Sequence, residues 1–149
     1  MAKNIVFLTG ESLGTNASES LHLYRRIVSF RKSADVTVIT QCRDTFPEQA
    51  GCKRVVHLDA YNANREDATR IAKQADMFVV VGMAPNAVPS ANLLSETRPD
   101  CCIAIINNGC LNLPKELHRE NVVKMRDMNI GTGLMFLSMY RWIMDLIEE

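Results

Sequence analysis

Apolar runs of strand length recur along this chain, separated by stretches with helical spacing. Ile5, Val6, Phe7 and Leu8 lie within the first run, Asn4 to Thr9. The β-branched run Asp35 to Thr40 reads as a second strand and Arg54 to Leu58 as a third. Met77 to Val81, Cys101 to Ile106 and Asn121 to Met125 supply three more. Strands apolar at nearly every position belong to parallel sheets covered on both faces. Between them, Ser18 to Arg31 spaces Leu21, Tyr24, Ile27, Val28 and Phe30 as a helix does. Arg65 to Gln74 follows Asn64, an N-cap candidate, and carries its acids early. Pro89 to Thr97 is a short helix candidate. The alternation predicts an α/β fold: a Rossmann-like, doubly wound parallel sheet of about six strands.

The final segment, Gly131 to Glu149, is apolar almost all the way round. Arg141, Asp145 and the terminal acids argue against a membrane span. Such a helix must be buried by something. Two covers are open: the sheet of its own domain, or a second copy in a homodimer using Leu134, Trp142 and Met144.

Length and charge narrow the picture further. At 149 residues the chain is read as one domain, 1–149. Lys plus Arg number 17 and Asp plus Glu number 17, so no global field draws nucleic acid or an anionic membrane. The five cysteines form no C-x-x-C pair, so no metal site, zinc included, is expected. Their odd number, with no secretory signal, points to a reducing cytoplasm.

In a doubly wound sheet, ligands gather at the carboxyl ends of the strands. Gly10, Glu11, Ser12, Leu13 and Gly14 follow the first strand there. A glycine-bearing turn before a helix lets backbone N–H groups approach a phosphate, although two glycines also make an ordinary turn. Cys42, beside Arg43, is a candidate for a lowered thiol pKa. Asp44 reads as the N-cap of a helix over Thr45 to Gln49, with Pro47 in its first turn.

Several of these segments resemble, in order, those of the sirtuins, the NAD-dependent protein deacylases. Lys3 to Gly14 is similar to their K-x-x-V-x-T-G-A-G-I-S, and Thr40-Gln41-x-x-Asp44 to their T-Q-N-x-D. Ala50-Gly51-Cys52-Lys53-Arg54-Val55 resembles A-G-S-x-x-V, and Ala75-Asp76-Met77 to Gly82 resembles A-D-L-x-x-V-x-G-T-S. Val88-Pro89-Ser90-Ala91 is similar to the V-x-P-A turn, and Ile105-Ile106-Asn107 to I-I-N. The resemblance implies a sirtuin or DHS-like NAD/FAD-binding fold. It implies NAD or an ADP-ribose-like nucleotide at Gly10 to Gly14, Gln41, Cys42, Asp44, Gly82, Met83, Ala84 and Asn107, with a flavin nucleotide as a further option.

Departures from the family pattern bear on activity. Glu11 and Ser12 stand for Ala-Gly, Cys42 for the asparagine beside the nicotinamide–ribose bond, and Met83-Ala84 for Thr-Ser. Asp59 stands for the histidine that acts as general base. The connections Leu13 to Ala34 and Ala60 to Ala75 leave no room for the helical insertion or the zinc ribbon. Three functions follow as alternatives. The first is a nucleotide-binding domain without conventional deacylase activity. The second is a pseudoenzyme that binds partners through its last helix. The third is an enzyme cleaving an N-glycosidic bond of NAD or a nucleoside, with Glu11, Asp44 or Asp59 as the acid.

Overall fold

The computed structural model describes residues 3–11, 13–58, 64–117, 119–126 and 129–148, with side chains of the last helix described as far as Met139. Its strands are β1 (Asn4–Thr9), β2 (Asp35–Thr40), β3 (Val55–His57), β4 (Met77–Val81), β5 (Cys102–Ile106) and β6 (Val122–Met125). Its helices are α1 (Ala17–Val28), α2 (Phe46–Gln49), α3 (Arg65–Gln74), α4 (Ser90–Leu94) and α5 (Ile130–Glu148), and a 3-10 turn, Ser29–Lys32, extends α1. Among the described residues the strands form one sheet in the order β3-β2-β1-β4-β5-β6, every pairing parallel.

The two faces of the sheet follow from side-chain alternation along each strand. Ile5, Phe7, Val36, Val38, Val79, Val81, Ala104 and Ile106 pack under α1 and α5, against Leu23, Tyr24, Ile27, Leu134 and Leu137. Val6, Leu8, Ile39, Phe78, Val80, Ile103 and Ile105 pack under α3 and α4, against Ala68, Ala72, Leu93 and Leu94. Each central strand therefore buries both rows, which explains its unbroken apolar sequence.

Helix ends show where local chemistry departs from expectation. Asn16 caps α1, its Oδ1 accepting from Glu19 N at 2.9 Å. The helix buries Leu23, Tyr24 and Ile27 and leaves Leu21 only half-buried, so the apolar stripe lies one position round from the expected one. Thr45, not Asp44, occupies the N-cap position of α2, because the turn closes from Gln49 N to Thr45 O at 2.8 Å. Asn64 does precede α3, but with φ at 65° and no capping bond. Its side-chain amide instead donates to His57 O at 2.9 Å.

α5 comes down onto the sheet at a glycine. A Cβ at Gly133 would lie 2.6 Å from Ile106 Cγ2, so only a bare backbone can make this approach. Leu134 and Leu137 are fully buried in their own core, which withdraws Leu134 from any role between copies. Trp142 and Met144 lie beyond the described side chains. No described helix is long and apolar enough to cross a membrane.

Candidate functional site

The strand order reverses direction between β1 and β4, the switch point at whose carboxyl edge doubly wound folds bind their ligands. A glycine follows each strand there, Gly10 after β1 and Gly82 after β4. A Cβ built on Gly10 would lie 3.9 Å from Met83 Cβ and 4.0 Å from Gly82 O, so the two loops run side by side. Gly82 has φ +71°, a conformation that glycine adopts without penalty, and its N–H donates to Ile106 O at 2.8 Å. Leu13 folds back into the core at 4% exposure, while Glu11 faces solvent. Gly14 runs against the first turn of α1, where a Cβ would meet Ser20 N at 2.9 Å. Ser12 and Asp59 lie outside the described residues.

Beneath this edge sits a buried hydroxyl cluster that sequence reasoning missed. Thr9 Oγ1 donates to Thr40 Oγ1 at 2.7 Å and shares a 2.8 Å bond with Tyr24 OH. Tyr24 OH lies 3.3 Å from Thr40 Oγ1, which also accepts from Cys42 N at 2.9 Å. Gln41 N donates to Thr9 O at 3.1 Å. The ends of β1 and β2 are thus locked together, and the chain after Thr40 leaves in a fixed direction.

Cys42 is held by this lock. Its Sγ accepts from Asp44 N at 3.3 Å, and it is 4% exposed. Burial raises the thiol pKa above its ordinary value; the bond to the Asp44 backbone opposes this, and the Asp44 and Glu48 carboxylates add to the rise. The lowered pKa expected beside Arg43 is therefore corrected: Arg43 is exposed, and the surroundings of the sulfur favour the neutral thiol. Cys52 is pushed up to about 11 and Cys101 to about 12, chiefly by burial.

His57 meets Cys42 at its carbonyl rather than its sulfur. Nδ1 lies 2.9 Å from Cys42 O, and Nε2 lies 2.8 Å from Glu48 Oε2. A carbonyl and a carboxylate both require donors, so the geometry suits the imidazolium. Burial alone would lower the His57 pKa; the bond to Glu48, the bond to Cys42 O and the Glu48 charge together carry it above its ordinary value.

Two cavities flank the edge. One, of about 700 Å³, is a groove between the Leu13–Gly14 turn, α1 and the start of α5, with Arg26 and Asn108 in its wall. The other, of about 280 Å³, lies on the opposite face of the sheet and is lined by Gln41, Leu58, Arg65 and Pro89 among others. The expected site residues thus divide. Leu13 and Gly14 reach the groove and Gln41 reaches the smaller cavity, while Cys42 and Asp44 line neither. Asn107 turns its amide to Cys110 O at 2.9 Å, and its neighbour Asn108 faces the groove. Glu19, His22 and Arg26 also line the groove and were not expected. Their spacing of three and four along α1 was the available signal. Among the described residues, no group of three or more His, Cys, Asp or Glu side chains could hold a metal ion.

No protein-family profile matches this sequence, and no curated protein matches it. Solved structures do match. A Sir2 homolog–NAD complex is 13% identical with a TM-score of 0.68, over 93% of this chain and 89% of that one. A Sir2 complex with a peptide and NAD+ is 14% identical with a TM-score of 0.66, over 95% of each chain. Sir2Tm bound to a propionylated peptide is 14% identical with a TM-score of 0.64, over 95% of this chain and 94% of that one. The fold is therefore that of the sirtuin core, as the ordered motifs implied.

Proposed function

We propose that this chain is a sirtuin-like core that binds NAD or an ADP-ribose-type nucleotide at the β1/β4 switch point, without conventional deacylase chemistry. The observation that carries this reading is the glycine pair. Gly10 and Gly82 bring two backbones together at the switch point, with a groove of about 700 Å³ beside them. That volume lies in the range of small-molecule sites, about 300–1,000 Å³. The likeness to the NAD-bound Sir2 structures supports the choice of ligand. In this reading Gly10, Glu11, Ser12, Leu13 and Gly14 form the phosphate turn. Gly82, Met83, Ala84 and Asn107 form the facing wall, and Gln41, Cys42 and Asp44 the other flank.

Loss of deacylase chemistry is supported by Asp59 at the position of the family's histidine. It is supported further by Cys42 at the position of the family's asparagine. An exposed Asp44 leaves N-glycosidic cleavage as a separate question, which nicotinamide release by wild type, Asp44→Asn and Asp59→Asn answers.

Calorimetric titration of ligand-free protein with NAD and ADP-ribose tests the binding. Micromolar affinity for either is expected. Gly10→Val, which crowds the gap toward Met83, should weaken it about tenfold or more with the fold intact by circular dichroism. No heat from either ligand overturns the reading.

A second reading rests on α5, where Met135, Phe136 and Met139 are 43%, 43% and 55% exposed. Apolar side chains grouped on one helix favour a contact between two copies. Oligomeric mass in solution decides whether they make one.

A further inference from the structure

We propose that the groove between α1 and α5 is an anion subsite anchored by Arg26, so that the bound nucleotide extends along α1 and presents a phosphate to this guanidinium. The inference rests on the nucleotide reading above and adds a part of the site that none of the motifs includes.

Arg26 is half-buried in the groove wall, one turn after His22. Its Nε donates to His22 Nε2 at 3.3 Å. The contact helps orient the guanidinium without pairing its charge. No carboxylate among the described residues pairs with Arg26. Glu19 shares the groove, but its Oε2 accepts from Thr15 Oγ1 at 2.6 Å. Among the described residues no carboxylate bonds the Nη groups, and their planar fork suits a phosphate held through two bonds.

Gly131, at the start of α5, stands close against this guanidinium. A Cβ at Gly131 would lie 3.4 Å from Leu23 Cδ2 and 3.9 Å from Arg26 Nε, so a larger residue there would close on the guanidinium. Asn129 Oδ1 caps α5 by accepting from Thr132 N at 2.7 Å. The amino end of this 19-residue helix adds its positive dipole to the same groove. The chemistry recognised is thus a phosphorylated nucleotide, not the bare nucleoside.

The test is calorimetric titration of wild type, Arg26→Met and Arg26→Lys with ADP-ribose, adenosine and inorganic pyrophosphate, each variant checked for fold by circular dichroism. Wild type should bind ADP-ribose at least about tenfold more tightly than adenosine. Arg26→Met should lose about tenfold for ADP-ribose and little for adenosine, and Arg26→Lys should fall between. ADP-ribose binding unchanged in folded Arg26→Met overturns the subsite and leaves the nucleotide reading standing. If wild type binds no nucleotide, that reading falls. The pyrophosphate arm then decides the subsite alone: binding that depends on Arg26 sustains it, and its absence overturns it.

Discussion

Thr40 offers one hydroxyl to three neighbours. Its Oγ1 takes bonds from Thr9 and from the backbone N–H of Cys42, and Tyr24 stands 3.3 Å away, all out of contact with water. Thr40→Val keeps the shape but strands the N–H of Cys42 and leaves the Thr9 and Tyr24 hydroxyls only each other. Leaving buried polar groups unmatched costs about 1–3 kcal/mol. Urea denaturation should show that loss as a lower midpoint with unchanged slope, and Thr40→Ser should recover most of it. A loss within error would mean that the cluster contributes nothing net. None of this was legible in the sequence. Thr9 and Thr40 read as strand ends and Tyr24 as part of an apolar helix stripe; no local spacing joins residues 31 and 16 positions apart.

At the scale of elements, β3 is a three-residue edge strand whose end is tied to α2 and to the chain after β2 by one imidazole. The His57 pKa is raised in the folded protein. Its contribution is therefore complete below the ordinary value of 6.5 and is lost as pH rises through the higher folded value. The side chains of His57 and Glu48 are 35% and 43% exposed, so screening limits the gain to about 1 kcal/mol or less. Melting temperatures of wild type and His57→Gln between pH 5 and 9 should differ most at the acid end and converge at the alkaline end. Glu48→Gln should reduce the same acid-end difference. A gap independent of pH would mean that His57 acts by packing alone. The strand itself was legible, as were β1, β2 and β4 to the residue, because buried parallel strands announce themselves as apolar runs. The clamp was not, since His57 bonds a carbonyl and a carboxylate brought together only by the crossover through α2.

For the whole molecule, the doubly wound order and the sirtuin core were legible because alternation and ordered motifs are properties of sequence. The groove was not. It forms where α1 crosses α5, two helices separated by most of the chain, and Gly131 sets how closely they approach. The motifs also mixed roles. Asp76, within the stretch resembling A-D-L, works at the far end of the sheet, accepting from Asn4 N at 2.8 Å and from Arg98 at 2.6 Å. At this scale belongs the test of association. If α5 joins two copies, sedimentation should give a dimer for wild type and a monomer for Phe136→Glu, which charges a side chain 43% exposed in one copy. A wild-type monomer at high concentration ends that reading.

The central place of β1 has a consequence for how the chain is made. Ile5 pairs with Val36 on one side and with Met77 on the other, so the middle of the sheet waits on residues synthesised much later. Until β4 exists, one border of β1 presents Val6, Phe7 and Leu8 with unmatched backbone groups, an invitation to other strands. Distant pairing of this kind slows folding. A nascent chain of this topology therefore passes through an aggregation-prone stage that ends only when the later strands emerge, and it is in that interval that chaperone capture matters most.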